Sequence, residues 1–419
     1  MGNGEWGRNK EHTMSKLSIE LLAALMHRHG WRLVDALAGV FAKQKLRSVL
    51  LAGMLIGLTG CGDGAGGGPG GPGSPGNPFI VDSMDSLYNV GTGNDGWGLD
   101  ACYKQTEDIT LSGYWPPIGT SANPFTGTYD GGGKTITGLK VDRATNYNGL
   151  FGFVDGGTIR GVRLTNVAIT ITGIGNNTGS VAGSIENGAM ISNCSAAGTI
   201  TAYSTVGGIA GSCSSDSIVE HCSSGVTVTG TGSRIGGVVG ENYGIIKYCS
   251  SSGAVKGLGF TGGIAGDNFG SVQNCYATGS VTGTNFHTGG IVGDNVGTVE
   301  YCYASGNVSG DYCVGGIVGV NYSTVQNCAA ICAQVTASYG DAGRVIGCNR
   351  GTATNCFGFQ GMFLSSVLSP DTFPGFNVTP GQYSGQTWWQ SAPSAGPGFN
   401  FGASGAWKWD SAKLLPVLK

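Results

Sequence analysis

Gly289-Gly290-Ile291-Val292-Gly293-Asp294-Asn295, then Val299-Glu300-Tyr301-Cys302-Tyr303-Ala304, then Gly306-Asn307-Val308, form three short apolar patches separated by Gly or Asn turns. No patch has the i, i+3, i+4 spacing of a helix, and none is long enough to make one. The stretch reads as three short strands, one triangular coil of a solenoid. The same pattern recurs along the chain. Cysteines stand at 194, 222, 249, 275, 302, 328 and 356, in steps of 28, 27, 26, 27, 26 and 28. Gly211, Gly240, Gly266, Gly293, Gly319 and Gly347 keep that beat, and so do Asn242, Asn268, Asn295, Asn321 and Asn349. One coil cannot bury its inner face alone, but stacked coils share a continuous core. The chain is therefore expected to be all-β, a right-handed parallel β-helix of about 27 residues per coil.

The inward set follows from the columns. Val272, Val299 and Val325 lie three residues before a cysteine, with two polar or aromatic residues between. Two consecutive outward residues mark a corner, so Val before it and Cys after it both face inward. Ala277, Ala304 and Ala330, two residues past the cysteine, face inward by period-2 alternation. The Asn column is placed to bond from coil to coil as a ladder. Glycines are expected where corners take positive φ or backbones approach closely. With coils about 4.8 Å apart, eight of them make a rod of roughly 40 Å.

Gly149-Leu150-Phe151-Gly152, the repeated Gly-Gly-Ile-Val-Gly-x-Asn and Asn-Cys-Tyr-Ala together resemble the GLUG-motif family. Trp115-Pro116-Pro117-Ile118-Gly119 and Phe125 to Gly133 resemble the segment that introduces such repeats. The resemblance covers about residues 80–358. It implies an extracellular bacterial β-helix of the kind found in adhesin-like proteins and beside peptidase domains. It carries no catalytic residue set, because the motif is architectural. Residues 79–148 are assigned to an N-terminal cap and the first coils, 149–358 to the repeat, and 359–419 to a C-terminal cap. Trp388, Trp389, Trp407, Trp409 and Leu414 to Leu418 are expected to close the C-terminal end of the core.

Composition agrees with many short strands and tight turns. The chain has 80 glycines in 419 residues and only 11% charged residues, against about 25% in ordinary domains. Yet 40% of residues are apolar, too many for a disordered chain. Net charge is −3 and no basic block occurs beyond the N-terminal segment, which argues against nucleic acid as a partner.

The N-terminus reads as an address. Lys43, Lys45 and Arg47 precede an apolar run from Ser48 to Thr59, which ends Leu58-Thr59-Gly60-Cys61. That is the layout of a secretory signal, and the apolar run is short of the roughly 20 residues that span a bilayer. Leu-Thr-Gly-Cys resembles the lipobox of bacterial lipoproteins. The resemblance implies that Cys61 is lipidated, that residues 1–60 are a signal region, and that the membrane is a partner through this anchor. Gly62 after the cysteine implies export to the outer membrane or cell surface. Read from Val40 the signal is well formed, so translation is expected to start there, with residues 1–39 ahead of the start. Residues 61–78 then combine the lipidated cysteine with a Gly- and Pro-rich tether.

Few constellations carry chemistry. The cysteine column reads as buried structural thiols, with disulfides or a metal as alternatives; no CxxC pair occurs. Off-column Cys102, Cys213, Cys313, Cys332 and Cys348 are better disulfide candidates. Only His221 and His287 lie in the mature body, there is no HExxH, and His221 reads as a solvated corner residue. Glu241, Asp267 and Asp294 form an acidic column whose repulsion a calcium ion would relieve, the one cofactor the sequence suggests. Solvated turns are the plainer reading. Tyr276 and Tyr303 follow the cysteine, while Tyr248 and Tyr301 precede it. Outward aromatic rows stack on sugars or anchor proteins, so these four tyrosines are the candidate face for a glycan or a cell-surface protein. The expectation is a non-enzymatic adhesion or ligand-binding lipoprotein. The alternatives are a carbohydrate-active lyase or hydrolase using Asp267, Asp294 and Glu300, and a structural envelope spacer.

Overall fold

The computed structural model describes residues 70–365, 372–393 and 395–419. Successive coils stack in parallel register, and one face alone holds eleven strands, from Phe79–Val81 to Thr352–Thr354. A typical coil runs Ser271–Gln273 on this first face, then Tyr276–Ala277 and Val281–Gly283 on a second. Thr288–Gly289 on a third face and Val292–Asn295 on a fourth complete it. The expected triangle is corrected here. The Gly289–Asn295 patch is not one strand but two, folded about a tight bend. Glycine is required there by crowding: a Cβ on Gly289 would lie 1.9 Å from the Val292 carbonyl oxygen, and one on Gly290 2.1 Å from that of Gly316.

The core contains the columns expected to face inward. Val272, Val299, Val325, the cysteines from 194 to 356, and Ala277, Ala304 and Ala330 are all buried. The column cysteines are free thiols. Each Sγ donates to the carbonyl two residues before it, as Cys302 does to Glu300 O at 3.2 Å. Burial pushes the Cys213 and Cys332 thiols up to about 12. Cys313 and Cys348 are joined in a disulfide.

Corners are also where the residue pairs placed them, with an unexpected composition. Asn193, His221, Tyr248, Asn274, Tyr301, Asn327 and Asn355, each just before a column cysteine, take φ of 50 to 56°. Asn tolerates this left-handed region, but Tyr and His rarely occupy it. Glycine is therefore not the positive-φ residue of these corners. The Asn ladder forms as expected: Nδ2 of Asn242, Asn268, Asn295 and Asn321 each donates to Oδ1 of the next, at 2.7 to 2.8 Å. Each amide also donates to nearby backbone carbonyls, so the buried donors are satisfied.

Both ends depart from the expected plan. Part of the assigned tether is seated on the fold, because Gly73 O accepts from Cys102 N at 2.8 Å and Gly73 N donates to Asn77 O. At the other end, Phe376–Val378 pairs with Phe357–Phe359 and extends the second face. The chain then turns through two short helices, Pro380–Tyr383 and Gln386–Gln390, and an antiparallel hairpin, Trp407–Asp410 with Leu415–Leu418. These elements lie against the flank of the coils, not across the open end of the core.

Candidate functional site

The register of the second face puts one residue from each coil in line: Ser195, Ser223, Ser250, Tyr276, Tyr303, Ala329 and Phe357. All point outward, one position past the column cysteine. The aromatic members form an apolar strip on an otherwise hydroxyl-rich surface, and the C-terminal segment covers it. Trp388, Trp389, Phe399 and Trp407 pack with Tyr303, Ala329, Ile331 and Phe357 into a second core outside the solenoid.

This corrects the expected binding face. Tyr303 is 1% exposed, and its hydroxyl donates to Pro416 O at 2.7 Å. It anchors the cap and is closed to a ligand. Tyr301 is half-buried and meets Phe399 edge-on at 6.5 Å. Tyr248 meets His221 at 4.8 Å with the rings tilted by 34°, around the corner on a separate column, with His221 exposed. Tyr276 differs from all three. Its ring lies parallel to that of Tyr303, 5.1 Å away at 3°, and Trp407 stands beside it at 6.2 Å. In the next coil toward the N-terminus the column holds Ser250, and beyond it Ser223.

The change from Ser to Tyr leaves a hollow. A groove of about 410 Å³ lies between the coils and the C-terminal hairpin. Tyr276 forms its end wall, Ser223, Ser250, Ser252 and Thr278 its floor, and Lys413, Leu415 and Val417 its rim. Lys413 is held to Asp410 at 3.4 Å, which offsets its charge. Sequence reasoning found Tyr276 but missed the serines and the rim. The serines were legible as the lower part of the tyrosine column; the rim was not, since a hairpin more than 100 residues downstream supplies it.

The acidic column lies on the fourth face, where Glu241, Asp267 and Asp294 share one register position. These are not solvated turns: Asp267 is 4% exposed and Asp294 9%. The guanidinium of Arg234 reaches both Glu241, at 3.2 Å, and Asp267, at 3.5 Å. His287 Nδ1 lies 3.2 Å from Asp294. Burial, reinforced by the charge of Asp294, pushes the Asp267 carboxyl up to about 7 against the pull of Arg234. Side chains therefore stand against these carboxylates where solvated turns were expected. Among the described residues no group of three or more His, Cys, Asp or Glu is arranged to hold a metal. Glu300, the third carboxylate considered for acid–base work, lies on the first face and accepts from Gln326 Nε2 at 2.8 Å. The three do not converge on one cleft. Cys61 and the signal region lie outside the described residues.

Comparison with known proteins adds four findings. The family model described as the GLUG motif matches residues 231–256. A protein of Evansella cellulosilytica named "Putative Gly-rich membrane protein" is 34% identical over 122 residues, 26% of this chain and 14% of that protein. Halomucin of Haloquadratum walsbyi is 32% identical over 143 residues, 30% of this chain and 2% of halomucin. The chain thus matches only a small part of the length of either relative. A crystal structure titled as a putative immunoglobulin A1 protease from Bacteroides ovatus aligns over 83% of this chain and 94% of its own, with a TM-score of 0.47 and 17% identity.

Proposed function

We propose that this chain, a parallel β-helix whose residues 231–256 match the GLUG motif, is a surface-displayed binding module, tethered to the membrane through Cys61 and engaged in adhesion. The observation that carries the binding role is the groove at Tyr276, the open end of an aromatic stack above a floor of hydroxyls. A pocket of this size is in the range that holds small ligands, roughly 300–1,000 Å³. The surface assignment draws on the lipobox-like Leu58-Thr59-Gly60-Cys61 and on relatives named as a membrane protein and a halomucin. The carbohydrate-active alternative is disfavoured by the burial of Asp267 and Asp294 behind Arg234 and His287. A catalytic pair must meet the substrate at hydrogen-bond distance.

The anchor is tested by growing cells with a labelled fatty acid: the full chain takes up label and Cys61→Ala does not. Binding is tested with the full chain, extracted in detergent, on arrays of glycans and matrix proteins beside Tyr276→Ala. A ligand bound by the wild type and lost in the variant supports the reading. Equal binding by both moves the site elsewhere, and no binding on either array favours the structural spacer.

A further inference from the structure

We propose that the Tyr276 groove takes a neutral pyranose ring, which lies on the exposed face of Tyr276 as the next layer of the protein's own ring stack. The inference rests on the binding role proposed above and names the ligand for it. Tyr303 and Tyr276 stack within 3° of parallel at 5.1 Å, close to the roughly 4.8 Å step between coils. Their planes therefore lie across the solenoid, and the second face of Tyr276 looks along it toward Ser250. The next layer would fall on the position of Ser250, whose side chain stops at a hydroxyl. The hollow thus begins where the two-ring stack of Tyr303 and Tyr276 gives way to serine.

The surroundings select what fills it. An aromatic ring favours a ligand with a flat C–H face, and the hydroxyls of Ser223, Ser250, Ser252 and Thr278 stand around that face. Among them and within the described residues, only Ser252 is tied to the protein, donating to Ser224 O at 3.5 Å. A pyranose offers both halves, C–H bonds to the tyrosine and equatorial hydroxyls to the floor. An apolar peptide side chain would stack equally well but strip water from the serines without replacing its bonds. An anionic sugar would find one cation, Lys413, already held by Asp410. A neutral sugar fits without an unpaired charge.

The test fills the slot from the protein side. Ser250→Tyr puts at this register position the residue that two successive coils already carry, so the fold should melt at the wild-type temperature. The full chain in detergent is applied to arrays of neutral oligosaccharides, uronic-acid oligosaccharides and peptides, with Ser250→Tyr, Tyr276→Ala and Ser252→Ala alongside. The expected result is binding to neutral pyranose oligosaccharides, lost at least tenfold in Ser250→Tyr and Tyr276→Ala and severalfold in Ser252→Ala. Binding confined to peptides or uronic acids, and lost in Ser250→Tyr, overturns the neutral pyranose as the ligand while the groove stands as a binding site. Neutral sugar binding that Ser250→Tyr leaves intact overturns the stacked placement. Silence on all arrays overturns both readings.

Discussion

Replacing Asp267 by asparagine should stabilise the protein at pH 8 and leave it unchanged at pH 4. The carboxyl is pushed from 3.8 to about 7, first by burial and then by the charge of Asp294 one coil away. A carboxyl whose folded-state value is raised binds a proton more tightly folded than unfolded. Between pH 4 and 7 the folded chain therefore holds a proton that the unfolded chain has released, and stability falls as pH rises. Above pH 7 both states are ionised and the loss is complete. A shift of roughly three units at 1.36 kcal/mol per unit sets the ceiling at about 4 kcal/mol. Asparagine keeps the shape and cannot ionise, while Arg234 keeps Glu241 as its partner at 3.2 Å. Solenoids can open regionally, so the assay is amide hydrogen exchange over residues 260–296, with melting temperature beside it, at pH 4, 6 and 8. Protection in the wild type should fall from pH 4 to 8 relative to the variant. A difference between the two that is constant across this range would refute the argument, because only a titrating group gives it a slope.

Other perturbations probe the scaffold. Asn295→Ala removes the donor to Asn321, Gly297 and Thr324 and takes from the Asn268 amide its shortest acceptor, leaving it the longer bonds to Gly270 O and Thr298 O. At about 1–3 kcal/mol for each buried group left unpaired, urea unfolding should show a loss of several kcal/mol, larger than for the half-buried terminal Asn349→Ala. Gly289→Ala drives a methyl to 1.9 Å from the Val292 carbonyl oxygen and should cost at least about 3 kcal/mol; Gly381→Ala, with nothing within 4 Å, should leave the urea midpoint unmoved. Replacing Cys313 and Cys348 by serine opens a cross-link spanning 35 residues, for which chain entropy predicts a loss of up to about 4 kcal/mol in the same assay.

What the sequence made legible was whatever repeats. Columns at a fixed period placed the inward valines, the thiols, the corner before each cysteine and the Asn ladder, because stacking turns period into contact. The bend inside Gly289–Asn295 was hidden, since a run of Gly and β-branched residues reads as a single strand. Its sign lay in crowding, which composition does not show. The acid column was visible but its compensation was not, although Arg234 to Glu241 and His287 to Asp294 are both seven residues apart, across the bend. Tyr276 and Tyr303 occupy equivalent positions and have opposite fates. Only the course of the C-terminal segment separates them, and that segment belongs to no repeat.

Nearly every side-chain bond between coils of the repeat joins residues 26 to 35 positions apart, as in the Asn ladder and in the reach of the Cys302 thiol to Val272 O. The C-terminal segment breaks that rule. Trp407 Nε1 reaches Asn274 Oδ1 across 133 residues at 3.1 Å, and Pro416 reaches Tyr303 across 113. A stack of nearest neighbours can fray one layer at a time from its free end. A strap fastened several layers down forbids this, because the last coils cannot peel away without tearing out the tryptophans. The final third of the rod should therefore part all at once or not at all, and a pull on the protein's far end should meet a single sharp yield in place of a slow unzipping.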